Sequence, residues 1–288
     1  MIARLLGMVL FIAAGSSAWA GAKTPLPVFV SILPQKNFVQ QVGGNRVRAS
    51  VMVPPGASPG TYQPSARQLS ALSRARIYFR IGVPFEDAWM SRMESVNPGM
   101  TVVDTRTGIH LRSMAGDGPA GEGAGGRKDP HIWMDPRLVE IQVRTIRDAL
   151  IQADPEGRDV YRHNAAAFIH RLQVLDRSIR QELASLHNRN IMTFHPAFGY
   201  FAAAYDLHQI PIEAGGKEPG ARRMTDIIQT GRRLGVKVLL VEPQFSRRTA
   251  TVVARAVGAR LVTANPLAED YVRNLSSLAR AIAEADAP

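Results

Sequence analysis

Between Pro155 and His187 apolar residues recur at Tyr161, Ala165, Phe168, Leu172, Leu175, Ile179, Leu183 and Leu186, with mostly polar and charged residues between them. Steps of three and four put these positions on one stripe of an α-helix. Asp154 stands where an N-cap belongs, Pro155 suits the first helical position, where no backbone donor is needed, and Asn188 follows the last apolar residue as a stop. At 1.5 Å per residue the predicted helix runs roughly 50 Å, longer than an ordinary domain helix. A rod of that length with one apolar face is expected to act as a strut between two lobes, because similar alternations of strand and helix flank it on both sides.

On the N-terminal side, Val28 to Leu33 is an apolar run followed by Pro34 and a helical stretch to Val42, closed by Gly43-Gly44. Arg46 to Val53 alternates as a strand does, and the Pro- and Gly-rich run from Pro54 to Pro64 is a loop. Ser65 with Gln68 three residues on is a capping-box signature that opens a helix through Leu72. Further strands are predicted at Ile77 to Ile81 and Thr101 to Asp104, with a helix from about Pro84 to Val96 between them, and a helix from Pro136 to Ala153 ends the lobe. On the C-terminal side, strands are predicted at Asn190 to Phe194, His208 to Glu213, Val236 to Val241 and Ala259 to Thr263. Helices are predicted at Ala197 to Tyr205, Ala221 to Leu234 and from about Leu267 to Ala283. This alternation predicts an α/β chain of two lobes, residues 21–153 and 189–288, each a parallel sheet of about four strands with helices on both faces, joined by one long rigid helix over 154–188. Ligands of such sheets sit at the carboxyl ends of the strands.

Composition narrows the chemistry. Residues 1–20 have the form of a cleavable signal peptide: Arg4, an apolar run from Leu5 to Ala14, and Ala18-Trp19-Ala20 as the cleavage site, which predicts export. No cysteine occurs among the 288 residues, so thiolate metal sites, disulfides and catalytic thiols are excluded and imidazoles and carboxylates remain as metal ligands. The formal charge is +11, of which Arg4 contributes one. The arginines are scattered over predicted helices and form no run with interleaved aromatics, which argues against nucleic acid as a partner.

Two motif matches fail on their chemistry. Gly56-Ala57-Ser58-Pro59-Gly60 has the spacing of a nucleophile elbow, but the residue after the serine must donate its N–H to the oxyanion and Pro59 has none. Gly121 to Gly126 fits a dinucleotide fingerprint, yet no strand leads into it and no helix leaves it; the stretch from Met114 to Lys128 reads as a low-complexity loop. More informative is Asp129-Pro130-His131-Ile132-Trp133-Met134-Asp135-Pro136, in which two Asp-Pro pairs stiffen the backbone around a histidine. His195-Pro196 repeats the theme at the end of a strand. The strand tips of the second lobe end in His195, Glu213, Glu242 and Asn265, all nitrogen or oxygen donors.

Taken together, Ser31-Ile32-Leu33-Pro34, Pro55-Gly56-Ala57-Ser58-Pro59, Thr61-Tyr62-Gln63-Pro64, Asp129-Pro130-His131-Ile132-Trp133, Phe194-His195-Pro196-Ala197, Gly216-Lys217-Glu218-Pro219 and Pro266-Leu267 resemble the metal-binding, solute-binding proteins of zinc and manganese ABC importers, across both lobes. The resemblance implies ligands at His131 and His195. The family's first histidine falls on Gly60 and its aspartate on Asn265, which offers a neutral carbonyl oxygen. Zinc prefers four donors, so Glu242 is the first candidate to complete the set, with Glu213, Asp135 and Asp270 behind it. His110, His163, His170, His187 and His208 have no paired donor in the pattern and are not expected to be ligands.

The resemblance therefore implies a monomeric periplasmic protein that captures a divalent metal between its lobes and delivers it to an ABC permease. Imidazole ligands favour Zn²⁺, with Mn²⁺ or Fe²⁺ as alternatives. A competing expectation is a degenerate family member that binds another ligand or a protein partner without tight metal capture. A metallohydrolase is disfavoured, because no His-Glu-x-x-His word or evident general base accompanies the histidines.

Overall fold

Strands buried on both faces need helices on both sides, and two sheets meet that need in the same way. In the computed structural model, which describes residues 24–115, 128–213 and 216–287, β1 (Leu26–Val30), β2 (Val47–Val51), β3 (Ile77–Arg80) and β4 (Thr101–Asp104) form a parallel sheet in the order β2-β1-β3-β4. A second parallel sheet has the equivalent order β6-β5-β7-β8, from β5 (Asn190–Thr193), β6 (His208–Pro211), β7 (Val238–Val241) and β8 (Arg260–Thr263). The expected α/β architecture of two four-stranded parallel sheets is thus observed. The signal peptide expected at residues 1–20, most of the glycine-rich stretch 114–128, and Gly215 lie outside the described residues.

In each sheet the direction of winding changes between two central strands, β1 and β3 in the first and β5 and β7 in the second, and the crevice beyond their carboxyl ends is the place for a ligand. Strand β7 shows why the second sheet needs cover on both faces. Val238 and Leu240 join a core that runs continuously through both lobes. Leu239 and Val241 face the other way, into a second core with Met192, Ile212 and Val253, to which α7 (Ala221–Arg233) and α8 (Arg247–Val257) contribute Ile227 and Ala254.

The long helix, α5, spans Arg158–Glu182 and buries Tyr161, Ala165, Phe168, Leu172, Leu175 and Ile179, the predicted stripe. It packs against α1 (Leu33–Gly43) and α4 (Pro136–Ala153) on one side and α9 (Tyr271–Asp286) on the other. Each fully buried Leu or Phe stabilises that packing by roughly 1.5–3 kcal/mol. At 25 residues the helix is shorter than predicted, roughly 38 Å, for identifiable reasons. The Asp154 carboxylate does not cap it, because it accepts from Arg46 Nε at 2.8 Å and from the Tyr161 hydroxyl at 2.6 Å. Pro155–Gly157 forms a separate 3-10 turn. At the other end the helix gives way to a turn at Leu183, whose carbonyl accepts from the Arg189 guanidinium at 3.4 Å, and Leu183 and Leu186 continue the apolar stripe beyond the helix. Since the core is continuous through both lobes, α5 serves as the middle of a shared core as well as a strut.

Two further boundaries differ from the sequence pattern. α8 has no counterpart among the predicted elements; Ser246 caps it by accepting the Thr249 N–H at 3.3 Å, and Gly258, at φ 82°, ends it in the left-handed conformation that favours glycine. α9 begins at Tyr271 instead of Leu267, because Asp270 is its N-cap and accepts the Arg273 N–H at 3.4 Å.

Candidate metal site

His131 is held by the residue two before it. Asp129 Oδ1 accepts both the His131 backbone N–H at 2.9 Å and ring Nδ1 at 2.6 Å, closing a tight local turn. Asp129 is itself fixed: its N–H donates to the Arg112 carbonyl at 2.8 Å, and its carbonyl accepts from the Tyr200 hydroxyl, on α6 (Gly199–Ala204) of the second lobe, at 3.1 Å. Gly199 leaves room there, since a Cβ at that position would lie 2.9 Å from Asp129 Oδ2 and push on the carboxylate that holds His131. After His131 comes a buried 3-10 turn, Ile132–Met134. It directs the Trp133 indole N–H across to the Pro266 carbonyl of the second lobe at 2.8 Å.

His195 lies just past β5, and its ring Nδ1 meets Glu213 Oε2, just past the neighbouring β6, at 3.1 Å. Its backbone N–H donates to Glu242 Oε2, at the tip of β7, at 3.4 Å. The sequence-predicted pair is therefore brought together at the switch point of the second sheet: the His131 and His195 rings stand 5.4 Å apart between centroids, edge to face at 75°. Trp133 lies 5.1 Å from His131 on one flank, and Phe245 stacks on His195 at 5.1 Å and 19° on the other. This ladder of four rings limits rotation of both imidazoles.

The hydrogen bonds to carboxylates put the ring proton on Nδ1 in both histidines and leave Nε2 as a lone-pair donor, the arrangement that orients imidazole toward a metal. Two imidazoles on one tetrahedral zinc, at about 2.0 Å per Zn–N bond, have centroids roughly 5 Å apart, close to the separation observed. Glu242 adds a carboxyl of unusual state. It is 2% exposed, and its Oε1 has no hydrogen-bond partner among the described residues. Burial, followed by weaker repulsion from Glu213, pushes its carboxyl up to about 8. The donor chemistry fits a divalent transition metal, although among the described residues no three His, Asp or Glu side chains are grouped ready to hold one.

The other candidates have different duties. Asn265, half-buried past the end of β8, accepts the Leu267 N–H on its side-chain oxygen at 3.0 Å. Gly60 is exposed and presents no donor. Asp135 is bound to Arg137, accepting the backbone N–H at 2.9 Å and pairing with the guanidinium at 2.8 Å as the N-cap of α4. Asp270 is an exposed cap on α9. His110, His163, His170 and His208 are exposed, and His187 pairs with Asp286 at 3.4 Å. Sequence reasoning missed the roles of Asp129, Phe245 and Tyr200. The spacing Asp129-x-His131 is a readable signal for the first; nothing in the sequence points to the other two.

Known proteins of this kind are similar over nearly the whole chain. The family model described as "ZnuA: Zinc-uptake complex component A periplasmic" matches residues 28–285. A putative metal-binding protein of Treponema pallidum (strain Nichols) is 30% identical over 247 residues, 83% of this chain and 78% of that protein. The high-affinity zinc uptake system protein ZnuA of Bacillus subtilis (strain 168) is 26% identical over 264 residues, 88% of this chain and 81% of that protein. The chain spans about half the length of the streptococcal AdcA zinc-binding proteins it also matches, 50% in Streptococcus pneumoniae (strain TIGR4). Among solved structures, a crystal structure of ZnuA superposes with a TM-score of 0.86 at 38% identity, covering 91% of this chain and all of that one.

Proposed function

Because this chain belongs to the family of periplasmic zinc-uptake complex A components, we propose that it captures a divalent transition metal, zinc foremost, between its two lobes and hands it to the membrane permease of an ABC importer. The observation that carries this reading is the pair of imidazoles, one from each lobe, each anchored at Nδ1 by its own carboxylate and 5.4 Å from the other. His131 and His195 are the nitrogen donors. Glu242 supplies the charged oxygen, losing its proton as the cation enters; Asn265, whose side-chain oxygen already accepts the Leu267 N–H, is at best a weak neutral donor, which leaves a position for a donor from outside the chain. Asp129 and Glu213 orient the imidazoles. With imidazole nitrogen contributing half of a four-donor shell, Zn²⁺ is favoured over Mn²⁺, which prefers oxygen, and over Fe²⁺, which lies below zinc in intrinsic affinity.

The lobes that supply these donors are residues 21–153 and 189–288, linked through 154–188, and residues 1–20 direct export to the periplasm. The protein acts as a monomer, catalyses no reaction, and binds no nucleic acid, its arginines being spread over helix surfaces. The test is to strip the purified protein with a chelator and titrate Zn²⁺ by calorimetry. H131A and H195A are each expected to weaken binding at least a hundredfold; binding that is unchanged in both variants overturns the assignment.

A further inference from the structure

Around the imidazole pair, the mouth of the second lobe carries charge of the wrong sign for a bare cation. Lys217 lies four residues after Glu213 in the chain, Arg222 and Arg223 open α7, and Arg247 and Arg248 open α8, just beyond the Phe245 ring stacked on His195. All five are exposed, and among the described residues none pairs with a carboxylate. The exposed acids beside them are Asp226 on α7 and Glu218, whose Oε2 accepts the Thr249 hydroxyl at 3.4 Å; Asp129, Glu213 and Glu242 lie buried beneath the rim, the first two tied to the imidazoles. Across the cleft, residues 53–65 of the first lobe carry no charge. Independently, the donor set is incomplete. Beside the two imidazoles the buried Glu242 Oε1 is left without a partner among the described residues, the Asn265 oxygen is engaged by Leu267, and Gly60 presents no side chain.

We propose, resting on the metal-capture reading, that the metal enters as an anionic chelate: a small polycarboxylate or aminocarboxylate that stays bound and fills the coordination positions this chain leaves open. The two Nε2 atoms replace two waters on the chelated ion, and the basic rim faces the outward oxygens of the chelator's carboxylates. Such a ligand turns the rim from a repulsive into an attractive feature, since a field of one sign raises the local concentration of ions of the other.

The experiment compares Zn²⁺ alone with preformed zinc–citrate and zinc–nitrilotriacetate, each of net charge −1, by native mass spectrometry and equilibrium dialysis. Chelator is expected to be retained with zinc, one of each per chain, more weakly as salt is raised. In K217E/R222E/R248E, retention of the chelate is expected to fall at least tenfold while bare Zn²⁺ binds more tightly; the milder K217Q/R222Q/R248Q is expected to lie between. If both chelators merely strip zinc, or if the reversed variant keeps the chelate as well as the wild type does, the proposal is overturned. Failure of Zn²⁺ alone to bind, or binding indifferent to H131A and H195A, instead overturns the capture reading on which the proposal rests.

Discussion

Replacing Glu242 by Gln is expected to make the metal-free protein more stable and a worse binder of zinc. The carboxyl ordinarily titrates near 4.5, and burial holds it near 8 in the folded chain. Between those values the folded state keeps a proton that the unfolded state has released, so the stability present below pH 4.5 is lost progressively as pH rises to 8. At 1.36 kcal/mol per pH unit the loss is about 3 kcal/mol at pH 7 and about 5 kcal/mol above pH 8. Gln is neutral throughout and keeps an oxygen for the His195 N–H. Urea unfolding of chelator-treated protein should show wild type and variant alike near pH 4, with the variant ahead by those amounts at pH 7 and 9. Added zinc should reverse the ranking, because the variant has lost its anionic donor and binding stabilises only what binds. Parallel stabilities from pH 4.5 to 9 would refute the claim that a buried neutral carboxyl waits at the site.

Further outcomes can be checked by titration and unfolding. Asp129→Asn keeps the oxygen near His131 Nδ1 but removes its charge, and should weaken zinc roughly 10–100-fold in a competition assay with a chromophoric indicator; an affinity within twofold of wild type would show that the 2.6 Å contact does not tune the ligand. Asn265→Asp restores a charge at the tip of β8 and should tighten zinc roughly tenfold by calorimetry, whereas no gain would mean that this side chain does not face the ion. Leu172→Ala, at a fully buried position in the middle of α5, should cost about 2–5 kcal/mol in urea unfolding, and a loss under 1 kcal/mol would contradict a core continuous through both lobes.

The two sheets and the helix stripe were legible because each depends on near neighbours along the chain, and the two histidines stood out through the short motifs around them. Tyr161 through Ile179 repeat at helical spacing, Val238 to Val241 form an unbroken apolar strand, and Asp129-Pro130-His131 closes on itself through one side chain. Where local signals compete, the reading drifted. Asp154 and Pro155 look like a helix start, but Arg46 takes the carboxylate from a distance of more than a hundred residues. α8 escaped because Thr249, Thr251, Val252 and Val253 have little intrinsic helix preference, although Ala250, Val253 and Ala254 bury one side of it.

Sequence alone therefore determined the architecture and singled out two histidines for attention, since periodicity, proline punctuation and side-chain chemistry are properties of short segments. Only the folded chain decided that the rings stand 5.4 Å apart, that Asp129 and Glu213 each hold one of them, and that Glu242 is buried without a partner at Oε1. Those facts come from strands far apart in the sequence ending side by side, and distance through space is not a quantity that a linear pattern carries.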